Sequence, residues 1–297
     1  MTKRNVLHCS VIGASHERSG LPCQDSSWSY TGEAYTIIAV ADGHGDPSHD
    51  LSETGSKLAV QSATNILKEL ADNVANQTDV LLSRMVRDDF PRLVVRRWRE
   101  AVKDDFRNRT VSPKDEDILE EEIIAYSRYG TTLIAAIVTE TQAIYAQIGD
   151  GDIVLLREDA SYELFSPIDQ NLVGGTTFSL SGNEATRHFL CGNSSVAGMR
   201  GLFLSTDGLR NCYEDDSAFI RLLSAIADMA EKEGVELSTS IISEQFVQFS
   251  KNGSGDDITL AAVIVPLTPG KETSPLNKED VNAGITVETD SAGGVPA

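Results

Sequence analysis

Positive charge is scarce in this chain. Its 297 residues carry 25 Lys and Arg against 45 Asp and Glu, a formal net charge of −20. Such a balance repels phosphate backbones and anionic lipid, which argues against nucleic acid or a membrane surface as partner. Cysteine is scarce as well. Cys9, Cys23, Cys191 and Cys212 are scattered, with no C-x-x-C pair to suggest zinc or redox chemistry. Long apolar runs are missing, so no segment reads as a membrane span. The N-terminal MTKRNVLHCS lacks the apolar stretch and cleavage site of a secretory signal. These absences lead to the expectation of a soluble, cytoplasmic protein with reduced thiols.

Hydrophobic residues make up 40% of the chain, enough for a substantial core. Two β-branched runs come first, LHCSVIGAS and AYTIIAVAD. Apolar residues then fall at helical spacing over 51–70, and a charged amphipathic stretch over 78–128 also reads as helix, with Pro91 and Pro113 as breakers. Strands return in GTTLIAAIVTE, QAIYAQIGD, DIVLLRE and ELFS. A polar, Gly-rich region over 167–200 reads as loop, followed by a strand in GLFLSTDG, helix over 215–250 and a last strand in DDITLAAVIVPL. Helices arrive in two blocks between groups of strands, without β-α-β alternation. That order implies an α+β fold of antiparallel sheets with helices packed outside them. Residues 1–266 read as one domain. The tail, 267–297, has no aromatic residue and little apolar content, so disorder is expected there.

The acids have a telling position. TIIAVA runs into Asp42, AIYAQI into Asp150 and Asp152, and LFLS into Asp207, while Asp256 and Asp257 immediately precede ITLAAVIV. Asp25, in GLPCQDSS, stands before the strand-like SWSYTG. Neighbouring antiparallel strands enter and leave by the same edge, so these acids can share one rim. Carboxylates gathered there repel one another unless cations intervene. Oxygen ligands of this kind suit Mg²⁺ or Mn²⁺ and not zinc. An isolated Asp-Gly is more often a turn, and Asp42 could also open a calcium loop. The second alternative fails on His44 at the third position and Pro47 at the sixth, where glycine is needed.

Six motifs in order, GLPCQDSS, VADGHGD, YGTTLIAAIV, QIGDGDIVLL, LSTDGLRN and SGDDITLAAVIV, carry a resemblance over residues 6–266. The chain resembles the metal-dependent protein serine/threonine phosphatases of the 2C type, particularly their bacterial members. The resemblance implies a β-sandwich of two antiparallel sheets flanked by helix pairs, with a binuclear Mn²⁺ or Mg²⁺ centre at the rim. Asp42 would bridge both ions, with the carbonyl of Gly43 on one of them and Asp207 and Asp256 on the other. Asp25 would hold metal-bound water with Gln24 beside it, and Asp150 would serve a weaker third metal position. Substrates would be phosphorylated proteins, opposed to a cognate Ser/Thr kinase.

Phosphate monoester hydrolysis needs accelerations of up to about 10²¹-fold. A general acid supplies only about 10² to 10⁴ of that. In the mechanism the resemblance implies, a metal-bridging hydroxide attacks phosphorus and His44 protonates the departing serine or threonine oxygen. Gly43 and Gly45 are expected to let the backbone approach the metals in conformations closed to other residues, and Asp46 is expected to be a turn residue.

Two departures stand out. Many relatives have a phosphate-binding arginine five residues before the acid matching Asp25, where this chain has Gly20; His16 and Arg18 are the nearest basic residues. A further acid common four residues after the one matching Asp207 is here Asn211. A non-catalytic phosphatase-like scaffold and a same-fold phosphatase for a small metabolite therefore remain as alternatives, the second residing in the 167–200 region. The basic segment 84–109 is expected to be a solvated helical face with i,i+4 pairs, and Trp98 a core residue.

Overall fold

The computed structural model describes residues 4–74, 78–109, 122–165 and 177–267. Pro113 and the tail from 268 lie outside the described residues. Two antiparallel sheets of five strands form the centre. One orders β1 (Asn5–Val11), β10 (Ile258–Ile264), β9 (Met199–Ser205), β6 (Asp152–Arg157) and β7 (Tyr162–Phe165). The other orders β2 (Ser26–Thr31), β3 (Thr36–Ala41), β4 (Leu133–Val138), β5 (Gln142–Ile148) and β8 (Leu190–Ser195).

Strands β3, β4, β9 and β10 are buried at every residue. Each has the opposite sheet on one face and helices on the other, which is why their sequences are continuous apolar runs. Ile38, Val40, Ile134, Leu155, Leu204 and Val263 fill the space between the sheets. The alternate residues Ile37, Ala39 and Ala135 pack under α2 (Ser52–Asn73), α3 (Asp79–Asp88), α4 (Phe90–Asn108) and α5 (Glu122–Arg128). On the far side Leu7, Phe203 and Leu260 pack under α7 (Asp216–Lys232) and α8 (Val235–Asn252). The layers are therefore helix, sheet, sheet, helix. Two short α-helices, α1 (Ala14–Ser19) and α6 (Asp207–Arg210), and two single 3₁₀ turns, Pro47–His49 and Ala185–Arg187, complete the described fold.

Trp98 is fully buried and donates its indole N–H to the Gly55 carbonyl at 2.9 Å, tying α4 to α2. The basic segment is a solvated face: Arg84 pairs with Asp88, Arg96 with Glu100 and Arg109 with Asp105, each at i,i+4. Pro91 opens the first turn of α4, where its missing N–H costs no helix bond.

Two sequence expectations need correction. The helix expected over 215–250 is two helices, parted at Gly234 with φ +84°, a conformation glycine adopts without strain. The region expected as loop over 167–200 contains β8, an edge strand whose LCGNSS sequence is partly exposed and too polar to signal a strand. Among the described residues no helix is long and apolar enough to cross a membrane.

Candidate active site

The registers bring the acids to one end of the sandwich. In the second sheet Ser26 pairs with Ala41, so Asp25 and Asp42 both lie just past that rim. Leu133 pairs with Ile148, which puts the Thr131–Thr132 segment and Asp150 there as well. In the first sheet Leu260 pairs with Ser205 and Asp152 with Ser205, so Asp207 and the Asp256–Asp257 pair leave from the matching edge. Asp152 is the buried first residue of β6, opposite Ser205 at the end of β9.

Burial holds the Asp42 carboxyl well above the usual carboxylate range, and the charges of Asp25, Asp207, Asp256 and Asp150 push it further. Asp25 is raised in the same sense by burial and by Asp257, although it accepts a hydrogen bond from Thr206 Oγ1 at 2.8 Å. Asp207 is pushed up to about 6 by burial and by Asp150 and Asp256. Asp256 is raised mainly by burial. This is a concentrated negative field, made only of oxygen atoms.

Hydrogen bonds hold the loop after β3. The Asp42 N–H donates to Thr132 Oγ1 at 3.0 Å, and its carbonyl accepts from Thr131 Oγ1 and the Thr132 N–H. The His44 N–H donates to the Gly130 carbonyl at 3.0 Å. Asp42 and His44 thereby close the bridge across Gly43, whose own carbonyl is not used by it. A methyl group on Gly43 would stand 2.5 Å from the Gln24 carbonyl oxygen and 2.9 Å from that of Ser52, so close main-chain approach is what demands glycine here. Left-handed backbone is not the reason: neither Gly43 nor Gly45 has positive φ, a correction to the sequence expectation.

Burial and the neighbouring His49 lower the His44 ring to about 4. The two rings meet edge to face at 5.0 Å, and His49 Nδ1 donates to the Ser127 carbonyl. Asp46 caps the following turn by accepting from the Ser48 N–H at 2.8 Å, as expected of a turn residue.

Asp257 was not singled out as a site residue by the motifs, yet it organises the rim. Its buried carboxylate accepts from the Gly13 N–H and the Gln24 N–H, each at 2.6 Å, and contacts His16 Nδ1 at 3.0 Å. Thr131, Thr132 and Thr206 were likewise overlooked, since hydroxyls that brace main chain leave no charge pattern to read. Arg18 is exposed and bonds Ser15 Oγ on its own helix, so it does not enter the site. Gly20, in the arginine's place, ends α1 with φ +74°, and a side chain there would meet nothing within 4 Å. Asn211 donates to Asp207 Oδ2 at 3.1 Å.

Among the described residues no three His, Cys, Asp or Glu side chains already form an ion-holding cluster. A hard cation such as Mg²⁺ needs none, because it keeps several waters and takes one or two carboxylates. The all-oxygen donor set, the raised carboxyls and the unused Gly43 carbonyl fit such an ion.

A family model described as protein phosphatase 2C matches residues 12–246. The chain belongs to the protein phosphatase 2C family. This phosphatase shares its fold with Stp1 of Staphylococcus aureus, a serine/threonine phosphatase, at 14% identity and a TM-score of 0.57, over 90% of this chain and 96% of that one. The S. agalactiae serine/threonine phosphatase gives 18% and 0.53, over 89% and 100%. PstP/Ppp of Mycobacterium tuberculosis gives 17% and 0.52, over 89% and 99%. No curated protein sequence matches the phosphatase.

Proposed function

We propose that this phosphatase hydrolyses phosphoserine and phosphothreonine in proteins with the help of two divalent cations, Mn²⁺ or Mg²⁺. The convergence of Asp25, Asp42, Asp150, Asp207 and Asp256 on one rim carries the reading. Asp42 would touch both ions, Gly43 one through its carbonyl, and Asp207 and Asp256 the other. Asp25, braced by Thr206, would orient water, and Asp150 would serve a weaker third position. The bound ions would supply an attacking water at neutral pH and positive charge for the phosphoryl oxygens.

His44 is then the proton donor to the departing oxygen. Its ring is neutral at rest, and an anionic phosphoryl group within about 4–6 Å favours its protonated form. The Gly130 carbonyl and His49 hold the loop and ring for that transfer. A phosphoprotein substrate implies a Ser/Thr kinase in the same compartment. The free thiols of Cys9, Cys23, Cys191 and Cys212 support the cytoplasm as that compartment.

The test is Asp42→Asn. Turnover of a phosphoserine peptide should fall by more than about 10²-fold while the thermal melt keeps its cooperativity. Turnover close to the parent's would overturn the assignment.

A further inference from the structure

His16 is the unexplained residue at this rim. Its ring is only 13% exposed and is anchored by Asp257, itself 3% exposed. Both carboxylate oxygens of Asp257 already accept backbone N–H groups, from Gly13 and Gln24, so the carboxylate acts as an acceptor and the ring donates from Nδ1. That holds the ring by Nδ1 and aims Nε2 the other way, toward the loop that carries Asp42 and His44. A methyl group built on Gly45 would stand 3.8 Å from His16 Nε2 and 3.7 Å from Gln24 Oε1. Gln24 is 6% exposed and its Oε1 has no hydrogen-bond partner. Two polar groups from separate segments therefore converge on one point over Gly45, and among the described residues Gln24 Oε1 has no hydrogen-bond partner.

The basic side chains on the elements around the rim are engaged elsewhere. Arg18 bonds Ser15, Arg210 pairs with Asp216, Arg128 with Asp50, and Lys251 lies beside Glu17. His49 is committed to the Ser127 carbonyl. A dianionic phosphoryl group entering among five aspartates needs a donor from the protein, and the unpaired Nε2 of His16 faces the loop where that group would lie.

We propose that His16, oriented by Asp257, binds a phosphoryl oxygen of the substrate through Nε2–H. The proposal rests on the metal-dependent phosphatase reading of this rim. With Asp257 on Nδ1 and the phosphoryl oxygen on Nε2, both ring nitrogens face anionic oxygens. No bond to phosphorus is made or broken by His16, so its contribution is to binding and not to the chemical step.

Steady-state hydrolysis of an aryl phosphate with Mn²⁺, and competitive inhibition by inorganic phosphate, test this in His16→Ala and Gly45→Ala. The first removes the donor. The second places a methyl in front of it at ordinary contact distance, so the fold tolerates it. Both variants should raise KM and the phosphate inhibition constant about tenfold, the size of one charge-assisted hydrogen bond. Their kcat should change less than about threefold and their melting temperatures should match the parent's. An active parent whose His16→Ala keeps KM and phosphate inhibition within about twofold sinks this proposal alone. So does a loss confined to kcat, which would make His16 a proton carrier. A parent without metal-dependent turnover sinks the phosphatase reading and this proposal together.

Discussion

Replacing Asp207 with asparagine should stabilise the metal-free phosphatase while removing its activity. Asp207 is held at about 6, against an ordinary 3.8, by burial and by the charges of Asp150 and Asp256. A shift of that size means that keeping the carboxylate ionised in the fold costs up to about 3 kcal/mol. The sign follows from linkage. A carboxyl whose folded value is raised contributes its stability below the unfolded value, and that stability is lost as pH rises through the folded value, between about 4 and 6. Above about pH 6 the parent bears the full cost. Asparagine bears none and still accepts from Asn211. In EDTA at about pH 7.5 the variant should melt roughly 5–10 °C above the parent, at 2–4 °C per kcal/mol for a chain of this size. At about pH 5 the advantage should shrink by about half, because the parent's Asp207 is by then mostly protonated. Adding Mn²⁺ should raise the melting temperature of the parent more than that of the variant. A variant that melts at or below the parent in EDTA near neutral pH would refute the electrostatic account of the rim.

Gly43→Ala should destabilise by about 1–3 kcal/mol or more in urea unfolding and abolish turnover, because its methyl would press on the main-chain oxygens of Gln24 and Ser52. Near-normal stability would mean that this approach is not close. Trp98→Ala should cost about 3–5 kcal/mol, since it empties a fully buried site and removes the indole hydrogen bond to the Gly55 carbonyl. A shift in denaturation midpoint below about 1 kcal/mol would contradict its place in the core.

Much of the fold was legible because its central strands are apolar on both faces. TIIAVA and LIAAIV announce themselves as β3 and β4, and the acid after the first marks where the strand leaves the sandwich. Strand β8 was hidden because LCGNSS lies at an edge and has no buried face to demand apolar residues. Helix α1 was hidden because its six residues bury only Ala14. At the site, charge made the aspartates readable in the motifs. Asp257 was passed over because a carboxylate that accepts N–H groups looks the same in sequence as one that faces a cation. The need for glycine at position 43 was legible, but its cause, the Gln24 and Ser52 main chain, lies far along the sequence.

The most direct test of the central claim is phosphate release from a phosphoserine peptide, measured on one purified sample as supplied with Mn²⁺ or Mg²⁺, after EDTA, and after the ion is restored. The rim of aspartates predicts turnover with the ion, none in EDTA, and recovery on restoration. Turnover that persists undiminished in EDTA would contradict it.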